Sequence, residues 1–286
     1  MTDNQTVGVI GAGAMGAGIA QLLVQHGYHC LLRDVNAAFV EKGVETVHRA
    51  FDRLVERDRM SAADRAAALA RLTGVTDAAA LASADAVIEA VPERLDLKRA
   101  VFAELDQICT QAQFLASNTS SLPVQNMAAA TRRPQRVLGL HFFNPASVLP
   151  LVEIVVPLTT DPQVVDTAEA LIRRLGKTPV RTKDTPGFVA NRLFVPFALD
   201  AMRLFESGTA TAEDIDAACR LGLSHAMGPL ATADLIGLDV ALDVADAMYD
   251  ETRDPRLVAP TILRRMVAAG WLGRKSGRGF FLYRPD

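Results

Sequence analysis

Two residues in this chain have the types and spacing for acid–base chemistry. His141 ends an apolar run, Val137-Leu-Gly-Leu-His141, and is followed by Phe-Phe-Asn144-Pro145. Pro145 and Pro150 then break regular structure before a second apolar run, Leu151 to Val156, which holds one carboxylate, Glu153. The pattern predicts strand, irregular loop, strand. If those strands are neighbours, His141 and Glu153 meet where the first ends and the second begins. An ionised glutamate in an apolar strand is costly unless paired, and an imidazole is a suitable partner. A carboxylate on one ring nitrogen fixes the tautomer and directs proton exchange to the other. The plainer alternative is a loop histidine and an edge-strand glutamate that never touch.

A second set of residues fits a dinucleotide. Gly11-Ala-Gly13-Ala14-Met15-Gly16 follows a short apolar strand, Val7 to Ile10, and opens a helix that continues from Ala17 to Gln25. This is G-x-G-x-x-G in the context the motif requires. Gly11 permits a tight turn, Gly13 lets the backbone approach a pyrophosphate, and Gly16 lets helix and strand pack closely. The phosphates would sit at the helix N-terminus, where amides without helical partners and the helix dipole favour an anion. The next apolar strand, His29 to Arg33, ends at Asp34. A carboxylate there accepts hydrogen bonds from the adenosine ribose and repels a 2′-phosphate, so the expected cofactor is NAD rather than NADP. Arg33 argues the other way, since it could meet that extra phosphate.

Other polar residues stand where strands end. Asp85 to Glu89 reads as a strand, and Glu93 and Lys98 flank the start of the helix after it. Glu93 reads equally as a first-turn carboxylate favoured by the helix dipole. Ser117-Asn118-Thr119-Ser120-Ser121 follows the strand Gln113 to Ala116, either as an ordinary turn or as a set of hydroxyls pointed into a cleft. Asn191 falls in the first turn of a long apolar helix, Phe188 to Glu206, and either points to a ligand or caps locally. Arg53, Arg57 and Arg59 read as a solvated helix face rather than a phosphate site. Cys30, Cys109 and Cys219 have no ligand spacing; they predict inert thiols, a reducing compartment and no metal.

The elements that must position these residues follow from periodicity. The chain has 286 residues, a formal charge of -3 and 50% hydrophobic residues, with a pI near 6.0 and a mean hydropathy of +0.16. These values predict a globular protein of two domains, and they argue against nucleic acid or an anionic membrane as the main partner. Met1 to Gln5 is polar and lacks a basic segment, so no signal peptide and a cytoplasmic protein are expected. Val7 to Val24 is long enough to suggest a membrane span, but five glycines interrupt it and strand–turn–helix explains it better. Strands near residues 7, 30, 73, 86, 114, 138 and 152 alternate with helices, predicting a doubly wound, mostly parallel sheet of Rossmann type. Ser61 is expected to cap a helix from Arg65 to Leu72. Beyond a hinge at Lys183-Asp-Thr-Pro186-Gly187 the period is helical almost throughout. The expected division is therefore residues 1–184 for the nucleotide and residues 185–286 for a smaller helical domain. Thr211 would cap one helix there, and Gly228-Pro, Gly237 and Pro260 would separate three more. The apolar content of that domain suggests burial against a second copy; His225 and Trp271 read as packing residues.

Taken together, these motifs resemble the 3-hydroxyacyl-CoA dehydrogenase family, its bacterial 3-hydroxybutyryl-CoA members above all, over almost the whole chain. The resemblance rests on Gly11-Ala-Gly-Ala-Met-Gly16, Ser117-Asn-Thr-Ser120-Ser121, His141-Phe-Phe-Asn144-Pro145 and Leu151-Val-Glu153. It extends through Asp184-Thr-Pro-Gly-Phe-Val-Ala-Asn191-Arg192, Met227-Gly-Pro-Leu230, Asp234-Leu-Ile-Gly-Leu-Asp239 and Gly273-Arg-Lys-Ser-Gly-Arg-Gly-Phe280. It implies interconversion of a short (3S)-3-hydroxyacyl-CoA, such as 3-hydroxybutyryl-CoA, with the 3-ketoacyl-CoA. His141 would be the acid–base group and Glu153 its partner. Ser120 and Asn191 would hold the substrate's 3-oxygen, with Asn144 nearby. The glycine loop and Asp34 would bind NAD, helped by Glu93, Lys98 and Ser117 near the nicotinamide half. A homodimer through the helical domain is implied too. One loop departs from the family: many relatives carry Pro-Val-Pro-Val-Met-Lys before Leu-Val-Glu, whereas here Ala146-Ser147-Val148-Leu149-Pro150 follows Pro145 and the lysine is absent. This leaves the acyl chain and its carrier open. The alternatives are a hydroxyacyl carrier protein, a free 3-hydroxy acid or, outside catalysis, a protein that only binds NAD.

Overall fold

The chain is described by a computed structural model over residues 5–283; the leader reading therefore falls, from Met1 to Asn4, outside the described residues. It forms two compact units, Met1–Thr185 and Pro186–Asp286. In the first unit β1 (Thr6–Ile10) leads through the glycine turn into α1 (Ala14–Gln25), β2 (His29–Arg33), α2 (Ala37–Glu56), α3 (Ala62–Leu69) and β3 (Leu72–Val75). Then come β4 (Ala86–Glu89), α4 (Leu95–Ile108), β5 (Phe114–Ser117), α5 (Val124–Ala128) and β6 (Val137–Phe142). The unit closes with β7 (Leu151–Val156), α6 (Pro162–Arg174) and β8 (Thr178–Lys183).

The strands make one sheet in the order β3-β2-β1-β4-β5-β6-β7-β8. All neighbours pair in parallel except β6 and β7. The chain winds outward from β1 in both directions, leaving a topological switch point between β1 and β4, where open α/β sheets bind ligands at the carboxyl ends of their strands. The doubly wound sheet is as expected from the alternation of strand and helix. The central strands are apolar on both faces because helices cover both, and Val7, Val9, Leu32, Ile88, Phe114 and Leu140 are fully or almost fully buried. Burying each such side chain contributes ~1.5–3 kcal/mol.

One element differs from its sequence reading. Ser61 does cap α3, its Oγ accepting from the Asp64 amide at 3.0 Å. The helix, expected from Arg65 to Leu72, instead spans Ala62–Leu69. Leu72 is taken by β3, where it pairs with Cys30 of β2. Strand pairing at the sheet edge prevails over a helical period that could have run on.

The second unit comprises α7 (Ala190–Glu206), α8 (Ala212–Gly222), α9 (Pro229–Ile236), α10 (Leu238–Thr252) and α11 (Thr261–Ala268). Its core includes Met202, Leu230, Leu238, Ala245 and Leu263. Thr211 caps α8 by accepting from the Asp214 amide at 3.1 Å. Buried Asp216 caps α9 from outside that helix, accepting the Leu230 and Ala231 amides, each at 2.9 Å. Trp271 packs beneath the Arg278 guanidinium, 3.5 Å from the ring centroid. Among the described residues no helix is long and apolar enough to cross a membrane.

Candidate active site

β6 and β7 are the antiparallel pair, and their register sets His141 opposite Glu153. His141 Nδ1 donates to Glu153 Oε2 at 2.8 Å, with both side chains almost fully buried. The carboxylate can only accept, so it assigns the ring proton to Nδ1 and proton exchange to Nε2. The Phe143 ring lies 4.4 Å from the imidazole, tilted by 48°. Asn118 pins the same strand end: its Oδ1 accepts from the Phe142 amide at 2.9 Å. The loop between the two strands is tied at both ends. Ala146 is buried and packs on Gly18 of α1, where a β-carbon would come within 3.3 Å of it. Lys177 Nζ donates to the Leu149 carbonyl at 2.8 Å.

The glycine turn has the form a dinucleotide needs. Gly11 has φ +94°, a left-handed conformation that side chains disfavour. A β-carbon on Gly16 would lie 1.7 Å from the Gly11 carbonyl oxygen, so only glycine lets α1 start that close to β1. Above Gly13 there is open space: a β-carbon there would meet no heavy atom within 4 Å. Gly13 N-caps α1 without any side-chain hydrogen bond, and the first turn, Ala14, Met15 and Gly16, holds no acid. The amides there are left for an anion, and a cradle that a β-carbon would fill is open above them. The residues present fit NAD.

Asp34, at the end of β2, does more than expected of it. Its Oδ2 accepts from the Ala12 amide at 2.7 Å and its Oδ1 from the Val35 amide at 2.7 Å. It therefore fastens the glycine turn as well as presenting a carboxylate. Arg33 is held toward the sheet edge, its Nε donating to the Thr76 carbonyl at 3.3 Å.

Across the switch point from Asp34 lies a polar cluster. Glu93 Oε1 accepts from the Ser120 amide at 2.9 Å, the Ser121 amide at 3.2 Å and the Thr119 hydroxyl. Partial burial opposes ionisation of Glu93, but the Lys98 ammonium, the Thr119 hydroxyl and the Ser120 amide outweigh it and hold the carboxyl below its ordinary range. Lys98 lies beneath the surface and donates to Glu89 Oε1 at 2.6 Å and the Val91 carbonyl at 3.2 Å, with Glu93 Oε2 3.3 Å away. Ser117 is buried and donates to Glu89 Oε2 at 2.7 Å. Glu89 has no part in the sequence-based site, where a carboxylate closing an apolar strand is its one mark, and Asn118 and Thr119 enter it only as members of the polar cluster at residues 117–121.

Ser120 is half-buried on this loop, and Asn144 is exposed in the β6–β7 connection. Asn191 lies half-buried in the first turn of α7, in the second unit. Arg53, Arg57 and Arg59 are solvent-exposed. Cys30 and Cys109 are buried, and burial raises both thiols, Cys109 to about 11.

Comparison with known proteins identifies the family. The 3-hydroxyacyl-CoA dehydrogenase NAD binding domain matches residues 6–185, and the C-terminal domain of the same family matches residues 187–283. A 3-hydroxybutyryl-CoA dehydrogenase of Mycobacterium tuberculosis is 47% identical over 98% of this chain and 98% of its own. A 3-hydroxyadipyl-CoA dehydrogenase of Escherichia coli is 42% identical over 100% of this chain, which covers 60% of that longer protein. The crystal structure of (S)-3-hydroxybutyryl-CoA dehydrogenase from Ralstonia eutropha superposes with a TM-score of 0.94 at 43% identity, covering 99% of this chain and 100% of that one. With both domains matched in order and a relative 47% identical along almost the whole of both chains, the chain belongs to the 3-hydroxyacyl-CoA dehydrogenase family.

Proposed function

We propose that this protein interconverts (3S)-3-hydroxyacyl-CoA and 3-ketoacyl-CoA with NAD, acting on short chains such as 3-hydroxybutyryl-CoA. The observation that carries the reading is the buried His141–Glu153 pair, in the same unit as an open glycine cradle. The amides of Gly13, Ala14, Met15 and Gly16 would hold the pyrophosphate, and Asp34 the adenosine ribose. NAD, when bound, supplies the hydride acceptor for C3 in oxidation and the donor in reduction.

The chain's own residues handle the proton and the oxygen. His141 Nε2 takes the 3-hydroxyl proton as C3 becomes a carbonyl, and returns it to the oxygen in the reverse direction. Glu153 stabilises the positive ring, a positioned acid–base step of a kind worth ~10²–10⁴-fold in rate. As the family resemblance implies, the Ser120 hydroxyl and the Asn191 amide would hold the 3-oxygen as charge develops on it, with a further polar group from Asn144. Glu93, Lys98 and Ser117 support the nicotinamide half. The helical unit contributes Asn191 and a dimer contact, supported by the exposed Leu193, Leu221, Leu223 and Leu235. A cytoplasmic location agrees with three unpaired cysteines.

The test sets acetoacetyl-CoA, a longer 3-ketoacyl-CoA and free acetoacetate side by side with NADH. The short thioester is expected to turn over fastest. Free acetoacetate at an equal rate would replace the thioester with a free acid as substrate. NADPH is expected to be poor, because the Asp34 carboxylate at the end of β2 repels a 2′-phosphate and Arg33 is tied to Thr76; equal rates with NADPH would overturn that assignment. Light scattering at micromolar concentration is expected to give twice the mass of the 286-residue chain, and a monomer would remove the dimer.

A further inference from the structure

Glu89 is 0% exposed and Lys98 is 1% exposed, so nothing that binds this unit touches the carboxylate of Glu89. Glu89 Oε1 accepts from the Val91 amide at 2.7 Å and from Lys98 Nζ at 2.6 Å, and Glu89 Oε2 accepts from the Ser117 hydroxyl at 2.7 Å. An ammonium and an amide on one oxygen favour the charged carboxylate over the neutral acid. The ammonium of Lys98 links it to Glu93, whose side chain is 38% exposed. Two carboxylates and one ammonium leave the triad with one negative charge in excess. An apolar strand end did not require this: a neutral side chain at position 89 would have avoided the cost of a buried charge.

The place of the triad follows from the sheet. With the pyrophosphate held at the start of α1 and the ribose at the end of β2, the cofactor's other half would lie across the switch point, at the ends of β4 and β5. Glu89 ends β4, Ser117 ends β5, and Glu93 lies in the connection between β4 and α4. The two forms of the nicotinamide differ by one charge: the oxidised ring is a cation and the reduced ring is neutral. A fixed charge in a site of low dielectric discriminates between them without contact.

We propose that the Glu89–Lys98–Glu93 triad is an electrostatic positioning element that favours the oxidised over the reduced nicotinamide, with Glu89 setting the bias from beneath the site. This rests on the NAD reading above and deepens it. The triad also holds the serine loop, since Glu93 gathers the Thr119, Ser120 and Ser121 donors. Glu89 is thus a positioning residue for the reaction rather than a catalytic one.

Glu89→Gln tests it, because the amide keeps the shape and the contacts. Its oxygen still accepts from Val91 and Lys98, and the Ser117 hydroxyl can rotate to accept from its nitrogen. Only the charge changes. Calorimetric titration of the full chain with NAD and, separately, NADH is expected to show NAD binding weakened roughly 3- to 10-fold, for a unit charge acting across a partly screened site. NADH binding should change much less, so the ratio of the two dissociation constants moves. Parallel weakening of both, or no change in either, would overturn the proposal, since a merely structural role cannot separate the two forms. If Glu89→Gln does not fold, Glu93→Gln at the exposed end of the triad must move the ratio in the same direction. A wild-type chain that binds neither form would sink the cofactor reading itself, a result distinct from failure of the triad.

Discussion

His141→Gln is expected to lower kcat by ~10²–10⁴-fold, the range for removing a positioned acid–base group, while the dissociation constant for NADH stays unchanged. The two readouts separate because the histidine sits at the end of β6 and the cofactor's phosphates at the start of α1, positioned by different residues. Glutamine retains a side-chain donor toward Glu153, so the buried carboxylate keeps a partner. Had the change left Glu153 unpaired, a loss of ~3–5 kcal/mol in stability would be expected. Thermal unfolding therefore belongs in the experiment: a variant that unfolds near the wild-type temperature, binds NADH and does not turn over assigns the proton step to this imidazole. Near-normal turnover would remove His141 from the mechanism.

That pair is legible in the sequence because strand chemistry is local. Two apolar runs, a proline-broken connection and one polar residue per run limit how the strands can pair, and the observed register sets His141 against Glu153. The glycine turn is legible for a similar reason, since each glycine answers a separate steric demand within six residues. Spacing reads Asp34 for its ligand alone; its bonds to the Ala12 and Val35 amides depend on how β2 returns beside β1, which spacing does not show. The family resemblance implies a place for Lys98 near the nicotinamide half without showing that it is buried. Its burial and its bonds to Glu89 and Val91 emerge only once α4 packs back against β4. Glu89 escapes a sequence reading because a polar residue at a strand terminus usually reaches water. Here β5 on one side and α4 above close it in. Charge networks that join three elements leave no periodic trace, so they are the part of a site that sequence reading misses first.

The glycine turn offers a contrast between two substitutions of the same size. At Gly16, within the first turn of α1, alanine is the better helix former by ~1 kcal/mol, so open space would make Gly16→Ala stabilising. The added β-carbon would instead lie 1.7 Å from the Gly11 carbonyl oxygen, a backbone atom that cannot rotate away. The turn must shift, at a cost of ~1–3 kcal/mol or more, and the unfolding temperature is expected to fall together with NADH affinity. At Gly13 the backbone is extended, with φ -70° and ψ -171°, which alanine adopts without strain. Nothing in the chain lies within 4 Å of its added methyl, so Gly13→Ala should unfold at the wild-type temperature. On the proposed reading, that methyl would meet the pyrophosphate. Forcing one methyl into a packed contact costs ~1–3 kcal/mol, or roughly 5- to 150-fold in the dissociation constant for NADH. One variant should thus lose both stability and cofactor, the other cofactor alone. NADH binding by Gly13→Ala at wild-type strength would mean that the open space above Gly13 is not where the dinucleotide lies.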